Sequence, residues 1–110
     1  METNELTGAA LDWAVAKCEG KDNDCEIHAG NVLYGRVTSG FIQYSPSTNW
    51  AQGGPIIERE GIEFRASGTQ ASIVGGRTYY GPTHLIAAMR CYVASKLGDD
   101  VEVPVELLGD

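Results

Sequence analysis

The sequence has no apolar run long enough to cross a membrane and no segment with the layout of a signal peptide. A transmembrane helix needs about 18 or more consecutive apolar residues, and no stretch of this 110-residue chain approaches that length. The chain begins Met-Glu-Thr-Asn-Glu, which is acidic, whereas a signal peptide begins with basic residues followed by an apolar segment. We therefore expect a protein without a membrane partner that stays in the cytoplasm.

Cysteine is scarce, and its spacing predicts neither a disulfide framework nor a zinc site. The three cysteines, Cys18, Cys25 and Cys91, are expected to be free thiols in that compartment. Cys18, Cys25 and His28 are three candidate metal ligands, but no second pair of ligands completes a tetrahedral set. We therefore expect neither a metal nor another cofactor.

Basic residues are also few, which argues against a protein that binds nucleic acid. Eight Lys and Arg stand against 15 Asp and Glu, so the formal net charge is −7. The basic residues are scattered, whereas binding to a duplex depends on many Lys and Arg contacts to phosphates. A local anion site stays open, because one helix N-terminus and one arginine are enough to hold a phosphate.

No recognised catalytic signature is present: the sequence contains no Gly-x-Ser-x-Gly, His-Glu-x-x-His or phosphate-loop pattern. Glu58, Glu60 and His84 are the candidate acids and bases of a hydrolase. Glu58 and Glu60, however, would point in different directions on a helical turn. We expect a protein that is not an enzyme, and a nucleotide-processing hydrolase is the third-ranked alternative.

The apolar pattern predicts a single α+β domain, in which two main helices pack on one face of a small, mostly antiparallel sheet. The first helix is predicted over Leu6–Glu19, with Thr7 as its N-cap. The second is predicted from Thr83 to about Leu97, with Gly98 as its C-terminal stop. Ile62–Ala66 alternates strictly between apolar and polar residues, as a half-buried strand does.

Further strands are predicted from β-branched and aromatic content and from turn residues. A hairpin is expected with a two-residue Gly75-Gly76 loop and with Ile73 opposite Thr78. The C-terminal segment is predicted to be an edge strand or an extended tail. These predictions cover Asn31–Tyr34, Gly40–Tyr44, Ala71–Val74, Arg77–Tyr80 and Asp99–Asp110.

Tyr44–Gly61 is the densest run of polar and loop-forming residues. Residues 47–49 can each cap a helix N-terminus. Gly53-Gly54 is expected to let the backbone approach a neighbouring group closely. One short helical turn is expected to follow, which Pro55 begins and Gly61 ends. Donor-rich loops between ordered elements commonly hold binding sites.

Three long runs, 44–61, 81–98 and 100–104, together with the opening 6–16, resemble the phage NinX family. It comprises bacteriophage and prophage proteins without an assigned activity. The resemblance implies a phage accessory protein that acts in the cytoplasm of an infected bacterium, and it carries over no catalytic residue. His84 stands where the family pattern has proline after Gly-Pro-Thr, which argues against a catalytic role for His84.

We predict a ligand site made by the 44–58 stretch and the start of the second helix. Trp50 would stack on a planar ring, while Thr83 and Arg90 would hold an anionic group. Alternatives stay open: Trp50 can roof the core, Thr83 can be an ordinary N-cap, and the arginines can pair with glutamates. The predicted ligand residues are Tyr44, Ser45, Ser47, Thr48, Asn49, Trp50, Gln52, Gly53, Gly54, Glu58, Thr83 and Arg90.

The leading functional hypothesis is a non-enzymatic phage protein that binds a small nucleotide-like ligand and sequesters a host anti-phage defence signal. The competing hypothesis is a protein that inhibits a host or phage enzyme through its acidic surface. A deep cleft beside Trp50 would favour the ligand, and a flat acidic face would favour the protein partner. Strand edges and a modest core also predict a homo-oligomer.

Overall fold

The α+β class is confirmed, and the strands form two small sheets. The computed structural model describes residues 1–36, 40–65, 69–73 and 76–107. Short 3-10 turns lie at Thr3–Glu5, Asp22–Asp24 and Val105–Leu107. The helices and strands in the described ranges are α1 (Gly8–Cys18), β1 (Cys25–His28), β2 (Asn31–Arg36), β3 (Gly40–Gln43), α2 (Trp50–Glu60), β4 (Ile62–Arg65), β5 (Gln70–Ile73), β6 (Thr78–Tyr80) and α3 (His84–Leu97).

Helices α1 and α3 confirm the two main helices of the sequence analysis. Thr7 occupies the N-cap position of α1 without a side-chain capping bond. Thr83 caps α3, because its hydroxyl oxygen accepts the Ile86 N–H at 3.1 Å, and the helix ends before Gly98. Helix α3 is central: it contacts α1, α2 and all three strands β4, β5 and β6. No helix in the described ranges is long and apolar enough to span a membrane.

Helix α2 is longer than the single turn predicted after Gly54, whereas the close backbone approach expected at the glycine pair is found at Gly53. The helix begins at Trp50, after Asn49, whose side-chain oxygen accepts the Ala51 N–H at 2.9 Å. Both glycines and Pro55 therefore lie inside the helix. Gly53 is needed for packing: a Cβ there would stand 2.4 Å from the Pro46 carbonyl oxygen and 2.7 Å from Leu85 Cδ2.

The six strands form two antiparallel three-stranded sheets, β1-β2-β3 and β4-β5-β6. In β4 the predicted alternation is confirmed, since Ile62 and Phe64 are the more buried residues and Glu63 and Arg65 are exposed. Ala66, the last residue of that predicted strand, lies outside the described residues. Strand β2 contacts α1, whereas the second sheet covers α3, so the two helices meet between the sheets.

The predicted register of the last hairpin is wrong by one residue. Thr78 pairs with Ser72 and Tyr79 pairs with Ala71, instead of Thr78 with Ile73. The observed register places Ala71 and Tyr79, which are both buried, on the same face against α3. A shift of one residue would turn one strand's buried side chain to the opposite face. Val74 and Gly75 of the predicted hairpin lie outside the described residues.

The C-terminal segment follows the extended-tail alternative as far as Pro104, before the 3-10 turn at Val105–Leu107. Asp100 forms an isolated antiparallel bridge with Glu2, and the Met1 amino group donates to Asp100 Oδ1 at 3.0 Å. Val101 is buried in the core beside this bridge. The burial of Val101, the Glu2–Asp100 bridge and the Met1–Asp100 contact thus hold the two ends of the described chain together.

Candidate functional site

A cleft of about 250 Å³ lies between the N-terminus of α2 and the N-terminus of α3. We call it the Trp50 cleft. The preceding loop, residues 44–49, and the first residues of both helices supply its walls. Its lining residues are Ser47, Thr48, Trp50, Thr83, His84 and Leu85.

Trp50 forms an aromatic wall of this cleft and is not a core residue. Its side chain is 55% exposed. The ring centroids of Trp50 and His84 are 6.4 Å apart, and His84 in turn contacts Phe64 at 5.2 Å. The alternative in which Trp50 covers the core is therefore wrong, because more than half of its side chain is exposed.

Ser47 contributes a buried hydroxyl that has no hydrogen-bond partner in the described part of the chain. The residue is 1% exposed and lines the cleft. Its backbone N–H donates to Asp12 Oδ1 at 2.8 Å. Buried polar groups almost always have a partner, and an exception in a native protein calls for an explanation. A ligand atom in the cleft would supply that partner.

Asp12 of α1 fixes the loop that carries Ser47, and the sequence analysis missed it. The residue is 5% exposed, and burial raises the pKa of its carboxyl to about 6. The Ser47 hydroxyl and N–H both oppose that rise in pKa, so the hydroxyl lies near the Asp12 carboxyl, although the two groups do not meet the geometry of a hydrogen bond. One signal was available: Asp12 is an acidic residue within a helix of mostly small and apolar residues.

The N-terminus of α3 supplies backbone donors at the edge of the same cleft. The first N–H groups of a helix have no partner within the helix. Thr83 satisfies the Ile86 N–H, while no described residue accepts from the N–H groups of His84 and Leu85. Thr83 is thus a genuine N-cap, and the remaining donors, at the positive end of the helix dipole, suit an anionic group.

The predicted ligand residues divide among several places. Four of them, Ser47, Thr48, Trp50 and Thr83, line the Trp50 cleft. Tyr44 and Gln52 line a second cleft of about 290 Å³ along α2. Asn49, Gly53 and Gly54 shape α2, whereas Ser45 lies in the loop and Glu58 is exposed on α2 without lining either cleft.

Gln52 holds the loop in place. Its side-chain oxygen accepts the Ser45 N–H at 2.6 Å, and its side-chain nitrogen donates to the Gln43 carbonyl at 3.1 Å. Both hydrogen bonds tie the end of β3 to α2. Gln52 therefore positions the loop that carries Ser47.

The prediction that Arg90 binds a phosphate is wrong. Arg90 is 8% exposed, and its guanidinium donates to the carbonyls of Leu6 at 2.8 Å and Tyr80 at 2.7 Å. Burial lowers the pKa of Arg90, and a buried cation needs such partners. Arg90 therefore joins the N-terminal segment and β6 to α3. Arg59 and Arg77 are also engaged with carboxylates, Arg59 with Glu19 and Arg77 with Asp99.

The described residues contain no group of three or more His, Cys, Asp or Glu that could hold a metal ion. The three cysteines are free thiols. Burial raises the pKa of each of them, that of Cys18 to about 12. Because the thiolate is the reactive form of cysteine, none of these thiols is activated.

Fold and cleft together define a small α+β protein with an open cleft of about 250 Å³ between two helix N-termini. The sequence profile described as Bacteriophage P22, NinX matches residues 2–96. The chain therefore belongs to the phage NinX family, as the resemblance predicted. No curated protein matches the chain in sequence.

Proposed function

We propose that this phage accessory protein binds a small nucleotide-like ligand in the Trp50 cleft, without turnover, in the cytoplasm of the infected bacterium. One observation carries the proposal: the exposed Trp50 indole and the unpartnered Ser47 hydroxyl line the same cleft. An indole face stacks on any nucleobase. The Ser47 hydroxyl would form a hydrogen bond with a polar edge of that base, and the free N–H groups at the N-terminus of α3 would donate to a phosphate.

The size of the cleft narrows the ligand class. Small-molecule pockets run from roughly 300 to 1,000 Å³, and the Trp50 cleft, at about 250 Å³, lies just below that range. A base with part of its sugar and phosphate fits this space, whereas a dinucleotide would extend well beyond it. We therefore propose a mononucleotide or a ligand of similar size.

The residues of the cleft support binding rather than catalysis. A nucleophilic serine needs a base within hydrogen-bond reach, and no hydrogen bond joins Ser47 to His84 among the described contacts. The carboxyl of Asp12 accepts from the Ser47 backbone instead. Among the described residues that line the cleft, His84 is the only one with an ionisable side chain, so these residues do not form an acid and base pair.

Sequestration of a host defence signal is the concrete form of the proposal. It rests on two observations. The chain belongs to a phage family, and the described residues that line the Trp50 cleft do not form a catalytic acid and base pair. The competing proposal is an inhibitor that docks on a host or phage enzyme. The presence of a cleft beside Trp50, where the inhibitor proposal would expect a flat acidic face, favours the ligand-binding proposal. Homo-oligomer formation through strand edges stays part of the proposal.

Thermal denaturation with a panel of nucleosides, mononucleotides and cyclic nucleotides tests the proposal. A ligand that binds only the folded state must raise the melting temperature. We expect one class of nucleotide to do so, and Trp50→Ala to weaken its binding by about 5- to 150-fold, the range of base–aromatic stacking.

Tyr80→Ala is the matched control, because Tyr80 is as exposed as Trp50, at 55%, and does not line the cleft. Tyr80→Ala should leave the affinity unchanged. Equal affinities of wild type and a folded Trp50→Ala variant would refute the stacking role. If no nucleotide shifts the melting temperature, the protein-binding proposal takes precedence.

A further inference from the structure

The second cleft, on the side of α2 away from Trp50, carries a cation that the fold does not pair. We call it the Lys21 cleft; its volume is about 290 Å³. Lys21 Nζ lies 5.0 Å from the ring centroid of Tyr34 and 5.5 Å from that of Tyr44. It forms no ion pair with a carboxylate of the described residues. As a nearby positive charge, Lys21 helps to lower the pKa of Glu19.

The other charges at this cleft are already engaged with one another. Arg59 donates to both oxygens of Glu19 at 3.1 and 2.6 Å, and Tyr92 donates its hydroxyl proton to the same carboxylate. Arg59 also donates to Glu60, which does not line the cleft, at 2.8 Å. The three charged lining residues, Glu19, Lys21 and Arg59, therefore sum to a charge of +1, in a protein with a net charge of −7.

Aromatic and apolar surfaces adjoin that charge. The rings of Tyr34 and Tyr44 are 6.1 Å apart and tilted by 50°. The Tyr44 hydroxyl has no hydrogen-bond partner among the described residues, and burial raises its pKa, so it keeps its proton as a donor. Ile42, 59% exposed, adds an apolar side chain to the lining. Such a cleft suits a ligand with one flat apolar part and one anionic group.

We propose that the Lys21 cleft is a second binding site, separate from the Trp50 cleft, for a small organic anion. The carboxylate or phosphate of the ligand pairs with Lys21 Nζ and accepts from the Tyr44 hydroxyl. Its planar part lies against Tyr34, Tyr44 and Ile42. The site does not depend on a nucleotide in the Trp50 cleft, because the two clefts share no lining residue.

Titrations followed by NMR test this site with four defined probes: phenyl phosphate, benzoate, benzyl alcohol and inorganic phosphate. Phenyl phosphate and benzoate separate a phosphate ligand from a carboxylate ligand. Benzyl alcohol lacks the charge, and inorganic phosphate lacks the ring. We expect at least one aromatic anion to shift the signals of Tyr34, Tyr44 and Ile42 at millimolar concentration, and to bind about tenfold more tightly than benzyl alcohol.

Matched lysine variants identify the charge partner. Lys21→Met keeps an apolar stem over the rings and should weaken the anion about tenfold, whereas Lys21→Arg should retain binding. Lys17→Met is the control, because Lys17 lies over Trp13 at 5.4 Å and does not line the cleft. Trp50→Ala should also leave this site intact. The proposal is overturned if neither aromatic anion moves these signals, or if Lys21→Met and Lys17→Met bind alike.

Discussion

At the scale of single residues, the position of Ser47 in the Trp50 cleft depends on a contact between Asp12 of α1 and the 44–49 loop. Asp12 accepts the Ser47 N–H and is almost completely buried. This contact fixes the loop, yet it leaves the Ser47 hydroxyl without a partner. The buried Asp12 carboxyl and the unpartnered Ser47 hydroxyl both lower the stability of the fold. Such a loss of stability is expected if the cleft is the proposed binding site.

Replacement of Asp12 by Asn should change how stability depends on pH. Burial raises the pKa of Asp12 from an ordinary value of 3.8 to about 6. The folded state therefore keeps a proton that the unfolded chain has lost, so this contribution to stability is full below about pH 4 and is lost as the pH rises through about 6. Asp12→Asn keeps the acceptor oxygen for Ser47 and should raise the free energy of unfolding at pH 7.5 by about 1–3 kcal/mol.

Urea denaturation of wild type and variant from pH 4 to pH 8 measures this difference. Asp24→Asn is the control, because Asp24 is an exposed acid, and its replacement should change stability by less than about 0.5 kcal/mol. A difference between wild type and Asp12→Asn that stays constant with pH would contradict a buried, proton-binding carboxyl.

At the scale of elements, α2 brings together the two clefts, and Gly53 sets how closely it packs. The helix contacts α3 and β4. At Gly53 its backbone meets the Pro46 carbonyl and the Leu85 side chain, whereas at Gly54 the nearest atom to an added Cβ is 3.9 Å away, on Trp50. Neighbouring glycines in one helix therefore have different roles.

The two glycines should respond in opposite directions to the same substitution. Gly53→Ala forces a Cβ against a backbone carbonyl and should lower the free energy of unfolding by about 1–3 kcal/mol. Gly54→Ala meets no such contact and should raise it by about 0.5–1 kcal/mol, because alanine favours a helix interior. Chemical denaturation of both variants measures the difference. Equal effects at the two positions would show that α2 does not approach Pro46 as closely as described.

Local sequence rules predicted some of these elements and failed at others for identifiable reasons. The cap at Thr83 and the alternation in β4 depend on neighbouring residues, and both are confirmed. Gly-Gly-Pro, by contrast, predicted one short helical turn after Gly54, whereas the helix begins at Trp50 after the Asn49 cap and its backbone packs closely at Gly53. The role of Arg90 depends on a carbonyl at Leu6, far away in sequence. The sequence therefore located the region of the cleft and four of its six described lining residues, but it also included residues that lie elsewhere.

At the scale of the whole molecule, a polar cluster joins all three helices. Glu19 follows α1, Arg59 lies near the end of α2, and Tyr92 is in α3. Arg59 donates to Glu19 and, at 3.1 Å, to the Tyr92 hydroxyl, which in turn donates to Glu19. Burial raises the pKa of Glu19, but hydrogen bonds from Arg59 and Tyr92 outweigh it, so the net shift is downward.

Removal of the Tyr92 hydroxyl should weaken this cluster in a pH-dependent way. Tyr92→Phe should lower the free energy of unfolding by about 1 kcal/mol at pH 7. Because the pKa of Glu19 is lowered by folding, its contribution is present above its ordinary pKa and is lost as the pH falls through the folded value. The difference between wild type and variant should therefore shrink in acid.

Denaturation at pH 7 and pH 3 provides the comparison. Tyr34→Phe is the control, because no described hydrogen bond involves the Tyr34 hydroxyl, and it should show no such trend. A Tyr92→Phe effect that is equally large at both pH values would assign the loss to packing and not to the Glu19 contact.

We propose that the Trp50 cleft holds a small nucleotide-like ligand without altering it. The most direct measurement is mass spectrometry of small molecules released by denaturation of protein purified from bacteria, with Trp50→Ala purified in parallel. We predict an unmodified nucleotide from the wild type and its depletion from the Trp50→Ala sample. A chemically altered nucleotide would indicate an enzyme, and equal recovery from both proteins would contradict binding in this cleft.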